Sequence, residues 1–147
     1  MVEMLPRIER TEMLMRVAAV VSQRGTCNRA QVGAVIARDG RIISTGYVGA
    51  PAGLPHCLDV GCDESEYSGC IRTVHAEANA IAFAARYGIE TNAATLYCTH
   101  SPCGNCAKLI INSGIFVVIF EQYYRDRTPL ALLEKAAITW AQYATES

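Results

Sequence analysis

Met13, Val17, Val20 and Val21 recur at helical spacing across residues 9–24 and Gly25 closes the run, so the pattern predicts a first helix there. Residues 32–37 and 41–47 are β-prone runs flanking Asp39-Gly40, a dipeptide that tolerates positive φ in a tight turn, and they predict an antiparallel hairpin. Residues 48–72 show no sustained period and contain Pro51, Pro55, several glycines, Cys57, Cys62 and Cys70; so long a loop in a small domain needs something to pin it. Residues 76–86, rich in alanine, read as a buried helix closed by Gly88, and 94–99 as a strand. Residues 103–113 follow as a helix closed by Gly114, 115–120 as an apolar strand, 129–137 as a helix and 138–143 as a short edge strand. Alternating α and β elements after an opening hairpin predict an α/β fold, with a mixed sheet sandwiched between helices. Neither a repeat nor a linker interrupts residues 1–147, which are read as a single domain with a frayed tail at 144–147.

At 147 residues the chain is long enough to bury one core, and 51% hydrophobic with 18% charged residues excludes a disordered or low-complexity chain. Thirteen Lys and Arg against fourteen Asp and Glu leave a formal charge of −1, so no bulk attraction to a nucleic-acid polymer or an anionic membrane is expected. The opening MVEMLPRIER interleaves charges with apolar residues, and no stretch approaches the roughly 18 apolar residues of a membrane span, so the expected location is cytoplasmic. In a reducing compartment, seven cysteines point to metal binding or catalysis rather than to disulfides.

His75-Ala76-Glu77 opens one predicted helix and Pro102-Cys103-Gly104-Asn105-Cys106 opens another. A Cys-x-x-Cys pair at a helix start can turn both sulfurs toward one ion, and the positive end of the helix dipole lowers thiol pKa. With His75 the protein ligands number three, which leaves the fourth tetrahedral position of a catalytic zinc for water. Such a water ionises near pH 7, and Glu77, two residues from a ligand, can move protons without joining the metal. Alone, Cys-x-x-Cys would equally suit a structural half-site or a redox pair, and Glu77 an ordinary first-turn carboxylate. The combination of His-x-Glu with Pro-Cys-x-x-Cys resembles the signature of zinc nucleobase deaminases.

Across residues 17–119 the chain resembles the deoxycytidylate (dCMP) deaminases of the cytidine deaminase superfamily. Val32-Gly33-Ala34-Val35, Ser44-Thr45-Gly46-Tyr47, Gly49-Ala50-Pro51, the run from Val74 to Ile81, and Thr99-His100-Ser101-Pro102-Cys103 with Cys106-Ala107-Lys108 carry the resemblance. It implies a three-layer α/β/α sandwich on a mixed five-stranded sheet and hydrolytic conversion of dCMP to dUMP with release of ammonia for thymidylate synthesis. It also implies a homohexamer, with dCTP activating and dTTP inhibiting, and with Mg2+ accompanying the effector. Where the family usually has Gly-Tyr-Asn-Gly this chain has Gly46-Tyr47-Val48-Gly49, and valine cannot make the bond to the sugar hydroxyl that the resemblance assigns to that asparagine. Another or a modified pyrimidine nucleotide, and a catalytically idle zinc-binding protein of the competence-operon type, are the alternatives.

A monophosphate calls for cations, and arginine's planar fork suits it. Arg24, Arg29 and Arg86 are the candidates, each of which also fits a solvated surface charge. Ser101 joins them as a substrate contact, and Tyr123, with Tyr124 beside it, could stack on a base or simply pack. Cys98, in a predicted strand, reads as a small buried hydrophobe. Cys27, Cys57, Cys62 and Cys70 fall in loops and could close a second, structural zinc site, and the resemblance implies that His56 or Glu66 could replace one of them.

Overall fold

The computed structural model describes residues 4–27, 30–62, 64–65, 69–70 and 72–144. The elements run α1 (Arg10–Ser22), β1 (Gly33–Arg38), β2 (Arg41–Tyr47), α2 (Cys57–Val60), β3 (Glu64–Ser65), β4 (Gly69–Cys70), α3 (Ala76–Arg86), β5 (Thr95–His100), α4 (Gly104–Asn112), β6 (Val117–Gln122), α5 (Thr128–Lys135) and β7 (Thr139–Gln142). The hairpin forms as its turn predicts: Asp39 and Gly40 both take positive φ, 53° and 75°, between the antiparallel strands β1 and β2. The sheet order is β2-β1-β5-β6-β7, with β1 antiparallel to β2 and β5 but β5, β6 and β7 mutually parallel, which makes the expected mixed five-stranded sheet. The edge strand expected at 138–143 is β7.

Strand alternation sorts the core into two layers. Val35 and Ala37 of β1 and Tyr97 of β5 meet Leu14, Met15 and Ala18 of α1 on one face. Ala34, Ile36, Leu96, Val118 and Phe120 meet Ala76 and Ala80 of α3, Ala107 and Ile110 of α4, and Leu130 and Leu133 of α5 on the other. The buried face of α1 corrects the sequence reading, because Met13 and Val20 are 39% and 63% exposed. A Cβ on Gly33 would stand 2.2 Å from the Ala18 carbonyl oxygen, so β1 and α1 touch backbone to backbone there. That close approach turns the Ala18 side of the helix inward, with Val17 packed at its margin and Met13 and Val20 left outside.

The other face uses the same device at Gly46, where a Cβ would meet the Ala76 carbonyl oxygen at 2.3 Å and the Ala80 nitrogen at 2.5 Å. Ser44 Oγ donates to the Ala80 carbonyl at 2.7 Å, and Asn79 Nδ2 donates to the Tyr47 carbonyl at 2.9 Å. β2 therefore fixes α3 in position by contact and by hydrogen bonds. The segment 48–72 is less irregular than its composition predicts, since it holds the single turn α2 and the two-residue pair β3 and β4. Backbone bonds tie it down: Gly49 and Val74 exchange N–H···O bonds of 3.2 and 2.7 Å, and the Leu58 N–H reaches the Thr26 carbonyl at 3.1 Å. Among the described residues no helix is long and apolar enough to cross a membrane.

Candidate active site

His75 is the residue preceding α3 and Cys103 the residue preceding α4, each with extended backbone, and Cys106 follows in the first turn of α4. Two helix N-termini thus converge, and both present positive dipole ends to the ligand atoms. Pro102, fully buried, sets the approach to α4. The His75 Nδ1 and the two sulfurs lie within 4.8 Å of one another. His75 Nδ1 is 3.3 Å from Cys103 Sγ and 3.5 Å from Cys106 Sγ. Tetrahedral zinc with ordinary Zn–N and Zn–S bonds separates a nitrogen from a sulfur ligand by about 3.5 Å, which both His75–cysteine separations match.

The protons shared by these groups follow the same geometry. The Cys103 thiol is pulled below its ordinary pKa, first by the hydrogen bond from Cys106 and then by that from His75. Cys106 is pushed up, chiefly because its proton is held by Cys103, then by burial and by the negative charge of Glu77. His75 is raised by its hydrogen bond to Cys103, against the desolvation that lowers it.

Glu77, 4% exposed, sits in the first turn of α3 beside this cluster. A cavity of about 140 Å³ joins the two, with His75, Glu77 and Cys103 on its wall together with Val48, His100, Ser101 and Tyr124. The Cys98 thiol donates to Glu77 Oε1 at 3.1 Å. Burial, followed by the Glu77 charge, pushes the Cys98 pKa well up, so this group is a neutral donor and more than the buried hydrophobe read from the sequence. Thr99 Oγ1 accepts from the Gly33 N–H at 3.2 Å and lies 2.9 Å from His100 Nδ1, which orients that ring.

Of the remaining candidates, Val48 is buried on the cavity wall. Ser101 is buried there too, its Oγ accepting from the Tyr124 N–H at 2.7 Å. Tyr124, not Tyr123, faces the cavity. Tyr123 packs edge-on against Phe120 at 5.0 Å and carries the Arg127 guanidinium 3.8 Å over its ring, so packing is its observed role. Arg24 and Arg86 are exposed, and no arginine lines the cavity among the described residues. Cys27 and Cys57 are buried and Cys62 half-buried, whereas Arg29, Glu66 and the Cys70 side chain lie outside the described residues. His100 and Cys98 gained no role from the sequence, although period-two alternation along β5 puts them on one face.

A three-layer α/β/α sandwich with a His-Cys-Cys cation site at two helix starts and a carboxylate beside it defines a zinc-ligating deaminase architecture. The profile of the family described as "Cytidine and deoxycytidylate deaminase zinc-binding region" matches residues 8–122, and the chain belongs to that family. It is 41% identical over 140 residues to ComE operon protein 2 of Bacillus subtilis (94% of this chain, 73% of that protein). It is 35% identical over 154 residues to the deoxycytidylate deaminase of Enterobacteria phage T4 (79% of each). Among solved structures, the dCMP deaminase of cyanophage S-TIM5 in complex with dCMP and dUMP superposes with a TM-score of 0.84 at 29% identity, covering 95% of this chain and all of that one.

Proposed function

We propose that this chain, as a single zinc-dependent deaminase domain over residues 1–147, hydrolyses dCMP to dUMP and ammonia. The observation that carries the reading is the buried Glu77 carboxylate on a cavity wall shared with His75 and Cys103, with Cys106 completing the cation ligands. Zinc held by those three residues would supply the Lewis acidity that makes a water acidic near neutral pH. Glu77 takes one proton from the water as its oxygen bonds to C4 and delivers it to N3 of the cytosine ring, then takes the remaining proton of that oxygen and delivers it to the 4-amino group, so that the C4–N bond breaks and ammonia leaves.

Small-molecule sites usually measure roughly 300–1,000 Å³, so a cavity of about 140 Å³ accommodates the base and leaves the sugar and phosphate at the mouth. Ser101 and Val48 border the base, and the phosphate falls to an arginine outside the wall. Arg24 and Arg29 bracket the segment leading to Ala30, a wall residue, and Arg86 is the further candidate. Cys27, Cys57, Cys62 and Cys70 take a second, structural zinc. The Leu58 to Thr26 backbone bond, which brings the neighbourhoods of Cys57 and Cys27 together, supports that site. Two zinc ions per chain by metal analysis are expected, and one would remove it. A homohexamer regulated by dCTP and dTTP with Mg2+, a place in pyrimidine metabolism and a reducing cytoplasm belong to the same reading. The exposed Phe83, Tyr87, Leu109 and Phe116 offer apolar surface for subunit contacts.

The test is ammonia release from dCMP by the zinc-loaded protein and by Glu77→Ala. The variant should keep its active-site zinc and lose turnover; an active Glu77→Ala removes the mechanism. A buried valine at position 48 favours a second reading, another or a modified pyrimidine nucleotide as substrate, which profiling dCMP against CMP, deoxycytidine and 5-hydroxymethyl-dCMP decides. Likeness to ComE operon protein 2 keeps a catalytically idle zinc protein as the third, and any turnover of these substrates excludes it.

A further inference from the structure

Glu77 is a long side chain that must hold one carboxylate oxygen toward the reacting centre, and it stands in the first turn of α3. A contact from the sheet restrains it. Cys98, midway along β5, is wholly buried and points its thiol at Oε1 of Glu77 at 3.1 Å. Cys98 pairs with Ala34 on one side and Phe120 on the other, so the donor is anchored within a central strand. Cys98 does not line the cavity, whereas Glu77 does. Its thiol therefore grips the carboxylate from behind.

Cys98 is not one of the three candidate cation ligands, so binding of a metal leaves its contact with Glu77 in place.

We propose that Cys98 is a positioning residue for Glu77: its thiol pins Oε1 and so leaves Oε2 aimed into the cavity for proton transfer. The inference rests on the reading of Glu77 as the proton carrier. A valine at this position would fill the same space without a donor, and a serine would restore one. Misplacing a reacting group by about 1 Å costs on the order of 100-fold in rate, so loss of one of several restraints on Glu77 should cost roughly 10- to 100-fold.

The experiment compares zinc-loaded Cys98→Val, Cys98→Ser, Glu77→Gln and the Cys98→Val/Glu77→Gln pair, measuring kcat, KM for dCMP and zinc content for each. Cys98→Val should lose roughly 10- to 100-fold in kcat with KM within about twofold and zinc unchanged, and Cys98→Ser should recover most of the loss. Adding Cys98→Val to Glu77→Gln should cost nothing further, because the group being positioned is already gone. If Cys98→Val retains wild-type kcat while Glu77→Gln is inactive, Cys98 has no positioning role and the proton carrier stands. If Glu77→Gln itself retains wild-type kcat, the proton-carrier reading falls and takes the role of Cys98 with it. A Cys98→Val enzyme whose lost kcat is not rescued by serine, or that has lost its zinc, marks Cys98 as packing only and overturns the proposal. Should the valine fail to fold, the kcat of Cys98→Ser against that of Cys98→Ala replaces it: a faster serine supports the anchor, and equal rates overturn it.

Discussion

Replacing Gly46 with alanine should damage the site without altering any of its functional side chains. The added Cβ would stand 2.3 Å from the Ala76 carbonyl oxygen and 2.5 Å from the Ala80 nitrogen, both backbone atoms of α3. Comfortable van der Waals separation begins at roughly 3.5 Å, so α3 and β2 must part by about 1 Å. The bonds from Ser44 to Ala80 and from Asn79 to Tyr47 span that interface and lengthen with it. Overpacking of this kind costs about 1–3 kcal/mol, which for a chain of this size lowers Tm by roughly 3–10 °C. The functional cost is larger in proportion, because His75 and Glu77 ride on the N-terminus of α3 while Cys103 and Cys106 ride on α4. A displacement of about 1 Å between them should reduce kcat/KM by about 100-fold and weaken zinc retention. Thermal melts, metal analysis and dCMP turnover read the three effects. Gly104→Ala is the control: it lies next to a metal ligand, yet a Cβ there meets nothing within 4 Å. Gly46→Ala with unchanged Tm and turnover, or Gly104→Ala equally damaged, would refute the reasoning.

Zinc binding should release protons. His75 and Cys106 are raised, so a cation that needs their unprotonated forms competes with protons, whereas the lowered Cys103 competes least. Affinity therefore falls as pH falls, and calorimetry in buffers of differing ionisation enthalpy should find protons released on binding. A buffer-independent heat would contradict this. Val48→Asn should restore a donor at the cavity wall; a net hydrogen bond of about 0.5–1.5 kcal/mol predicts a KM for dCMP lower by roughly 2- to 12-fold, with kcat unchanged. An unaltered KM would mean that the nucleotide sugar does not reach position 48.

His75, Glu77, Cys103 and Cys106 were legible because short spacings at helix starts determine what two neighbouring side chains can share. The hairpin was legible for the same local reason, through Asp39-Gly40. What escaped depends on contacts distant in sequence. The face of α1 is chosen by Gly33 pressing on Ala18, which no periodicity within the helix encodes. Cys98 owes its role to Glu77, 21 positions earlier. Tyr123 and Tyr124 are adjacent and chemically identical, and only their surroundings separate them: Phe120 and Trp140 take one, and the Ser101 hydroxyl holds the backbone of the other against the cavity.

The seam between β1 and β5 has a consequence for how activity would be lost. It joins a hairpin that can form from near neighbours to a parallel half that cannot, and Ala34 opposite Cys98 lies on that line. Thr99, bonded across it to Gly33, sits between the anchor of Glu77 and His100. Fraying at the outer edge strand β7 would leave these pairings closed, whereas parting of the seam would separate anchor, carboxylate and cation ligands together. Turnover should therefore disappear abruptly with mid-sheet opening and act as a sensitive reporter of whether the two halves of the sheet remain joined.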